Sequence, residues 1–413
     1  MSEKIETIIV GGGQAGLAAS YYLKQLGREN LVLEKATQAG NAWRSDRWDS
    51  FTLLTPNWSF SLPSAEYKDA NPDGFMPRDE IVSRFEKYVE SFDLPVHYQQ
   101  TVTRVEPSID DKGYLIQTQK ALYHASNVVV ATGLFQSPKI PAFSQNLSAE
   151  IKQLHSGAYR NPALLPPGGV LVIGSAQSGC QIAEELYLNG RKVFLSIGAT
   201  GRVPRRYRGK DVYRWMQLVG ALDQTVDKLP SPRAKFDANP HVTGRDGGRT
   251  LNLHQFARDG VVLLGHLQDI QGNQAWFAPD RDASLASADQ FEANLVKRID
   301  AFIEQQALNA PPETLPALRD GFEADEITEL DLQAAGITTV IWAKGYRFDF
   351  SLVKLPVSDG DGFPIQNRGI TNFPGLHFVG LPWLYKYKSG HLVGVGDDAK
   401  YIAEAIVNAN KGW

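Results

Sequence analysis

The stretch Ile5-Glu6-Thr7-Ile8-Ile9-Val10-Gly11-Gly12-Gly13-Gln14-Ala15-Gly16 decides how the rest of the chain is read. Its first half is mostly apolar and β-branched, which suits a strand buried on both faces. Its second half is GxGxxG. A helical pattern follows from Leu17 to Leu26, and Leu31-Val32-Leu33 is a second apolar run that ends at Glu34. Strand, glycine turn, helix and strand in this order open a doubly wound sheet that binds a dinucleotide. Gly11 permits the sharp turn out of the strand. Gly13 lets the backbone approach a pyrophosphate, and Gly16 lets the helix pack close to the sheet. Gln14 and Ala15 begin the helix, whose free N–H groups and positive dipole end attract phosphate. A carboxylate at Glu34 accepts from ribose hydroxyls and repels a 2′-phosphate, which favours FAD or NAD over NADP.

The same plan recurs downstream. Val170–Ile173 leads into Gly174-Ser175-Ala176-Gln177-Ser178-Gly179, a helical pattern to about Leu188, and a strand over Lys192–Ser196. The turn is GxAxxG, and alanine still allows a phosphate to come near. Ser175, Gln177 and Ser178 face the expected pyrophosphate, although the serines also suit helix capping. No acid ends this second strand. Arg202, Arg205, Arg206 and Arg208 follow it, and guanidinium groups in that place accept a 2′-phosphate. Arg202 is first in position and Arg205 next. The reading is NADPH, with a solvated basic face as the alternative use of the cluster.

Length and composition agree with two or three globular domains: 413 residues, 43% hydrophobic and 21% charged. A formal charge of −4 gives no bulk attraction to nucleic acid or an anionic membrane. The single cysteine, Cys180, can form neither an internal disulfide nor a CxxC pair. No apolar run is long enough to span a bilayer, so a cytoplasmic enzyme without membrane attachment is expected. No spacing of His, Asp or Glu suggests a metal. The expected fold class is α/β, with two doubly wound, Rossmann-like domains and the NADPH domain inserted in the FAD domain. The division is 1–165 for FAD, 166–340 for NADPH with an insertion at about 201–250, and 341–413 returning to FAD.

Further motifs carry a family resemblance. Gly40-Asn41-Ala42-Trp43-Arg44, Leu54-Thr55-Pro56-Asn57, Ala131-Thr132-Gly133, His155-Ser156-Gly157-Ala158-Tyr159, Lys344-Gly345-Tyr346 and Lys388-Ser389-Gly390 through Asp398 are similar to motifs of the class B flavoprotein monooxygenases. That group includes flavin-containing monooxygenases, the plant YUCCA enzymes and CzcO-like flavoproteins, and the last branch resembles this chain most. The fingerprint FxGxxxHxxx(Y/W) is half present: His155 and Tyr159 match, while Ala149 and Ile151 replace Phe and Gly.

The resemblance implies that NADPH reduces FAD, dioxygen adds at flavin C4a, and one oxygen atom passes to a small organic substrate by N-, S- or C-oxygenation. It implies cofactor contacts at Lys35, Ala42, Trp43, Arg44, Val102, Thr132, Gly133, Gly380 and Gly394. It places Asn57 beside the flavin as the candidate catalytic residue; a turn asparagine after Pro56 is the alternative. A core aromatic is the alternative reading of Trp43. A flavin reductase or NADPH oxidase without oxygen transfer, and a flavin-based redox sensor, are the rival functions. The partners expected are a small-molecule substrate and dioxygen; a homodimer is compatible with the sequence.

Overall fold

The computed structural model describes residues 3–108 and 112–409. The opening strand β1 (Glu3–Val10) runs parallel to β2 (Asn30–Leu33), with α1 (Gln14–Gln25) crossing between them. Beyond β2 lies β3 (Val96–His97), also parallel, preceded by α2 (Arg78–Ser91). Strands β4 (Val102–Pro107), β5 (Tyr114–Thr118) and β6 (Leu122–Val130) form an antiparallel meander, and β6 returns alongside β1. The sheet order is β3-β2-β1-β6-β5-β4. The last four residues of β1 and all of β2 are buried, as expected of parallel strands covered on both faces.

A second, five-stranded sheet follows. It contains β7 (Lys152–His155), β8 (Gly169–Ile173), β9 (Val193–Ser196) and β10 (Val262–Leu264), with α3 (Gln177–Leu188) between β8 and β9. A small antiparallel sheet of β11 (Leu267–Gln271), β12 (Gln274–Phe277) and β13 (Glu329–Asp331) surrounds the long α4 (Arg281–Gln305) in sequence. Then β14 (Ile337–Trp342) enters the five-stranded sheet between β7 and β8, giving the all-parallel order β7-β14-β8-β9-β10. The chain returns to the first sheet through β15 (Leu376–Phe378), which pairs with the end of β6, and closes with α5 (Val395–Ala409) packed on α1.

The architecture is a mixed α/β fold with parallel sheets. Strands β3 and β4 are separate because Gln99, with a φ of 56°, turns the chain between sheet edges. β7 joins the second sheet although it precedes residue 166, where the sequence division starts the second domain. Residues 201–250 hold short helices, turns and one two-stranded hairpin, Arg206–Tyr207 with Lys210–Asp211. They are anchored on the return segment by Val226 N–H to Tyr385 O and Tyr387 N–H to Gln224 O, both 2.9 Å. Among the described residues no helix is long and apolar enough to cross a membrane.

Two buried histidines set an acid limit on this packing. Burial pushes both His241 and His377 down to about 4. The unfolded chain takes up these protons near pH 6.5 and the folded chain only near 4, so between those values the unfolded state holds more protons. Stability is therefore complete above pH 6.5 and falls as the pH drops toward 4. The expected loss is about 1.4 kcal/mol per pH unit for each histidine inside that window. Urea unfolding at pH 7, 6 and 5 checks it: His241→Gln and His377→Gln should each flatten the slope.

Candidate functional site

Both glycine turns are built alike, and the reason is steric. Gly11 and Gly174 have φ of 109° and 105°, which side chains rarely adopt. A Cβ at Gly11 would stand 2.6 Å from Ala131 O, and one at Gly174 would stand 2.7 Å from Ala343 O. A Cβ at Gly16 would run into the carbonyl of Gly11, and one at Gly179 into that of Gly174. These glycines let strand and helix touch. Gly13 is different: it is extended, and a Cβ there would meet nothing within 4 Å. The space in front of Gly13 is thus open at the N-terminus of α1. A pyrophosphate fits that cradle.

Glu34 stands over the first turn. Its buried carboxylate accepts from Gly12 N–H at 2.6 Å and from Ala36 N–H at 2.8 Å. Each oxygen keeps a lone pair for a ribose hydroxyl. Lys35, next in the chain, is exposed. The return segment closes on this turn. Gln14 Nε2 donates to Gly390 O at 2.7 Å, and Gly380, with φ of 80°, lies against Ala15. Gly394 backs onto Lys388 at the start of α5. Thr132 follows β6, its Oγ1 accepting from Gln136 Nε2 at 2.6 Å. Gly133, with φ of 74°, has open space before it. Val102 lies at the start of β4 and packs against the core of the first sheet.

Several expected contacts are placed elsewhere. Ala42 is exposed in a short helix, Asn41–Ser45. Trp43 packs against Phe85 and Phe51 with centroids 6.5 and 6.0 Å away, as a core-edge aromatic. Arg44 turns outward to Glu86 at 2.6 Å. Arg47 is the arginine held among rings, 4.5 Å over Phe135 and 5.4 Å over Phe51. Asn57, the candidate catalytic residue, is buried with its amide engaged by backbone. Nδ2 donates to Asn71 O at 2.9 Å and Oδ1 accepts from Met76 N–H at 2.6 Å. That geometry fixes the loop from Asn57 to Met76 rather than presenting the amide.

The second turn departs further from expectation. Arg202 is buried and paired with Asp289 at 2.6 Å and Glu292 at 2.7 Å on α4. Arg205 is 2% exposed and grips Asp211 with Nε and Nη2 at 2.7 and 2.9 Å. Both are committed to these acids, and α4 supplies the two that draw Arg202 inward. Arg206 donates to the carbonyls of Gly247 and Gly248, and Arg208 to Asp300. Ser175 is beside the turn, its Oγ accepting from Gly198 N–H at 3.0 Å. Gln177, at the start of α3, accepts from Val242 N–H at 3.1 Å, while Ser178 occupies the next helical position.

One further cluster gathers aromatic residues from three distant segments. Trp58, Tyr213, Trp383, Tyr387 and His391 form an aromatic chain with centroids 4.9–6.4 Å apart. It joins the 201–250 segment to the return segment beside Gly390. The Tyr213 hydroxyl and His391 Nδ1 share a hydrogen bond of 3.1 Å, and burial pushes His391 down to about 4, so its ring is neutral at pH 7. Cys180 is buried, its thiol donating to Ser175 O at 3.0 Å, and burial raises its pKa.

Comparison with known proteins agrees with this geometry. Residues 8–216 match the pyridine nucleotide-disulphide oxidoreductase family. The chain is 32% identical over 411 residues to an uncharacterized CzcO-like oxidoreductase of Geobacillus kaustophilus, covering 99% of this chain and 100% of that one. It is 26% identical over 219 residues to a probable indole-3-pyruvate monooxygenase, YUCCA3 of Arabidopsis thaliana, covering 50% of this chain and 49% of the other. A flavin-containing monooxygenase from Stenotrophomonas maltophilia has the same fold, with a TM-score of 0.67 at 18% identity over 98% of this chain and 99% of that one.

Proposed function

The chain belongs to the pyridine nucleotide-disulphide oxidoreductase family, on its class B flavoprotein monooxygenase branch, and from that premise we propose that it is an NADPH-dependent FAD monooxygenase. It is an oxidoreductase, and FAD and NADPH are its cofactors. The observation that carries the reading is the pair of glycine cradles with opposite strand ends. A buried carboxylate stands over the first and none stands over the second, where Ile197, the residue after β9, takes the place that Glu34 has after β2. The first therefore suits FAD and the second NADPH, and the two cofactors divide the chain into the FAD and NADPH domains proposed from the sequence.

Bound flavin supplies hydride acceptance and activation of dioxygen, which side chains alone lack. This chain's residues do the rest. The N–H groups at the start of α1 hold the flavin pyrophosphate, and Glu34 accepts from the ribose. Gln14 ties the return segment over the cradle. The aromatic chain from Trp58 to His391 forms an apolar wall that excludes water from the substrate side, where leakage would release peroxide. At His391 Nδ1 and the Tyr213 hydroxyl, a neutral pair holds one shared proton in place beside that wall. The proposed substrate is a small organic molecule oxygenated at nitrogen, sulfur or carbon. Thiol–disulfide chemistry has no support here, because Cys180 is alone and buried.

Stopped-time assays of NADPH, dioxygen and peroxide test this. Without substrate, NADPH and dioxygen should be consumed one for one with peroxide appearing. A matching substrate should replace most of the peroxide with oxygenated product. Stoichiometric peroxide across a panel of amines, sulfides, aromatics and carbonyl compounds would identify an oxidase instead, and NADPH oxidation without dioxygen a reductase.

A further inference from the structure

Helix α3, whose first turn belongs to the second glycine cradle, is tied to the first unit at a buried carboxylate. Glu185 lies about 12 Å along α3 from Gln177, at 1.5 Å per residue. Its side chain is buried, and each of its oxygens accepts a hydroxyl from outside the helix. Oε1 accepts from Ser50 Oγ at 2.6 Å and Oε2 from the Tyr159 hydroxyl at 2.8 Å. Arg249 pairs with the neighbouring Glu184 at 2.8 Å, and among the described residues no cation pairs with Glu185.

The two donors lead to different parts of the molecule. Ser50 belongs to the loop after the short helix Asn41–Ser45, and that loop is anchored in the first unit. Arg78, at the start of α2, gives its N–H to Phe51 O at 2.9 Å and its guanidinium to Asp49 at 2.9 Å. Arg47, in the same loop, lies over Phe135, just past Thr132 and Gly133. Tyr159 is buried and follows β7, where the chain crosses between the sheets. Asp49 N–H donates to Arg160 O at 2.9 Å and Asn161 Nδ2 donates to Asp49 at 2.6 Å, so the crossover closes on the same loop. Loop, crossover and helix thus meet at one carboxylate. A buried carboxylate without a cation costs desolvation that an apolar side chain avoids. Its gain is direction: two hydrogen bonds at fixed angles orient α3, where apolar packing alone would let the helix slide.

We propose that Glu185 is a positioning residue for hydride transfer, holding α3 and the second glycine cradle at a fixed angle to the first unit through Ser50 and Tyr159. This rests on the reading of the two cradles as sites for FAD and NADPH. The step it serves moves one hydride, with its two electrons, from NADPH to oxidised FAD and leaves NADP+ and reduced flavin. Displacing a donor by about 1 Å can slow such a step by roughly a hundredfold.

The test replaces both partners at once. Glu185→Met with Tyr159→Phe keeps the volume and leaves no buried polar group unpaired there, so Tm should hold. Anaerobic mixing of the FAD-loaded protein with NADPH should show the limiting rate of flavin reduction down by roughly tenfold or more, with the Kd for NADPH changed by less than about threefold. Glu185→Gln, whose amide still bonds both hydroxyls, should keep most of the rate. Spin labels at Lys87→Cys on α2 and Lys297→Cys on α4, both exposed, read the angle directly, since Cys180 is buried. Their distance distribution should broaden in the double variant and stay narrow in Glu185→Gln. An unchanged limiting rate or an unchanged distribution in the double variant overturns the proposal, and so does a rate loss that Glu185→Gln shares in full. If NADPH fails to reduce the flavin of the unsubstituted protein, the cofactor reading itself fails, and the label distances still decide whether Glu185 sets the angle.

Discussion

Gly13→Val yields a folded protein that purifies without flavin. The backbone permits the change, since Gly13 is extended with φ of −82° and ψ of −172°, and a Cβ there would meet no protein atom within 4 Å. The conformational cost is the loss of a tolerated helix N-cap residue, about 1 kcal/mol. The functional cost is larger. Valine occupies the space through which a pyrophosphate reaches the first N–H groups of α1, and charge-assisted bonds of that kind contribute roughly 1.5–3 kcal/mol each. FAD affinity should fall by at least about a hundredfold. The visible flavin absorbance of purified protein and a thermal melt with and without added FAD measure both parts. Gly16→Val should behave differently, because its Cβ would run into Gly11 O. That variant loses the strand–helix packing along with the cofactor. A yellow Gly13→Val protein would show that the first turn does not hold the flavin.

Arg205→Met should cost stability and leave dinucleotide binding almost untouched. The guanidinium is enclosed by Asp211 through two hydrogen bonds, by Leu54 O at 2.8 Å, and by the Phe75 ring 4.4 Å below it. Removing it leaves the Asp211 carboxylate buried, with the N-cap bond from Tyr213 N–H as its remaining support. Breaking a buried pair from one side costs about 3–5 kcal/mol. In a chain of this size that lowers Tm by roughly 5–10 °C. Because the Asp211 pair and Leu54 join the 201–250 segment to the loop after the first unit, the loss should appear in the main unfolding transition. The Michaelis constant for NADPH, measured on the folded fraction at saturating FAD, should change by less than about threefold. A large rise in that constant with an unchanged Tm would return Arg205 to the phosphate-binding role that its place in the sequence suggested.

The contrast between these two variants shows which parts of the site could be read from residues alone. Gly11, Gly13, Gly16 and Glu34 act within one contiguous strand–turn–helix–strand unit, so their spacing encodes their geometry. The same holds for Gly174 and Gly179, and for the helix Gln177–Leu188, which ends where its sequence pattern does. The arginines are another matter. A cationic side chain several residues past a strand end can swing to either side, and its direction is set by acids from a distant helix. Asp289 and Glu292 lie on α4, and nothing near Arg202 in the sequence announces them. Asn57 is similar: its motif is visible, but the carbonyl of Asn71 and the N–H of Met76 decide what its amide does.

What the sequence by itself determined is the set of local units: two glycine turns between strands and helices, one followed by an acid and the other not. Local chain geometry suffices for that, because a tight turn and a close strand–helix contact exclude every side chain but hydrogen at a few positions. What only the tertiary structure decided is which distant side chains face those turns. The inward pairing of Arg202 with α4 and the aromatic chain from Trp58 to His391 both depend on elements far apart in the chain. Their positions follow from buried charges finding partners and from strand ends being tied together, and these constraints exist only once the two sheets have formed.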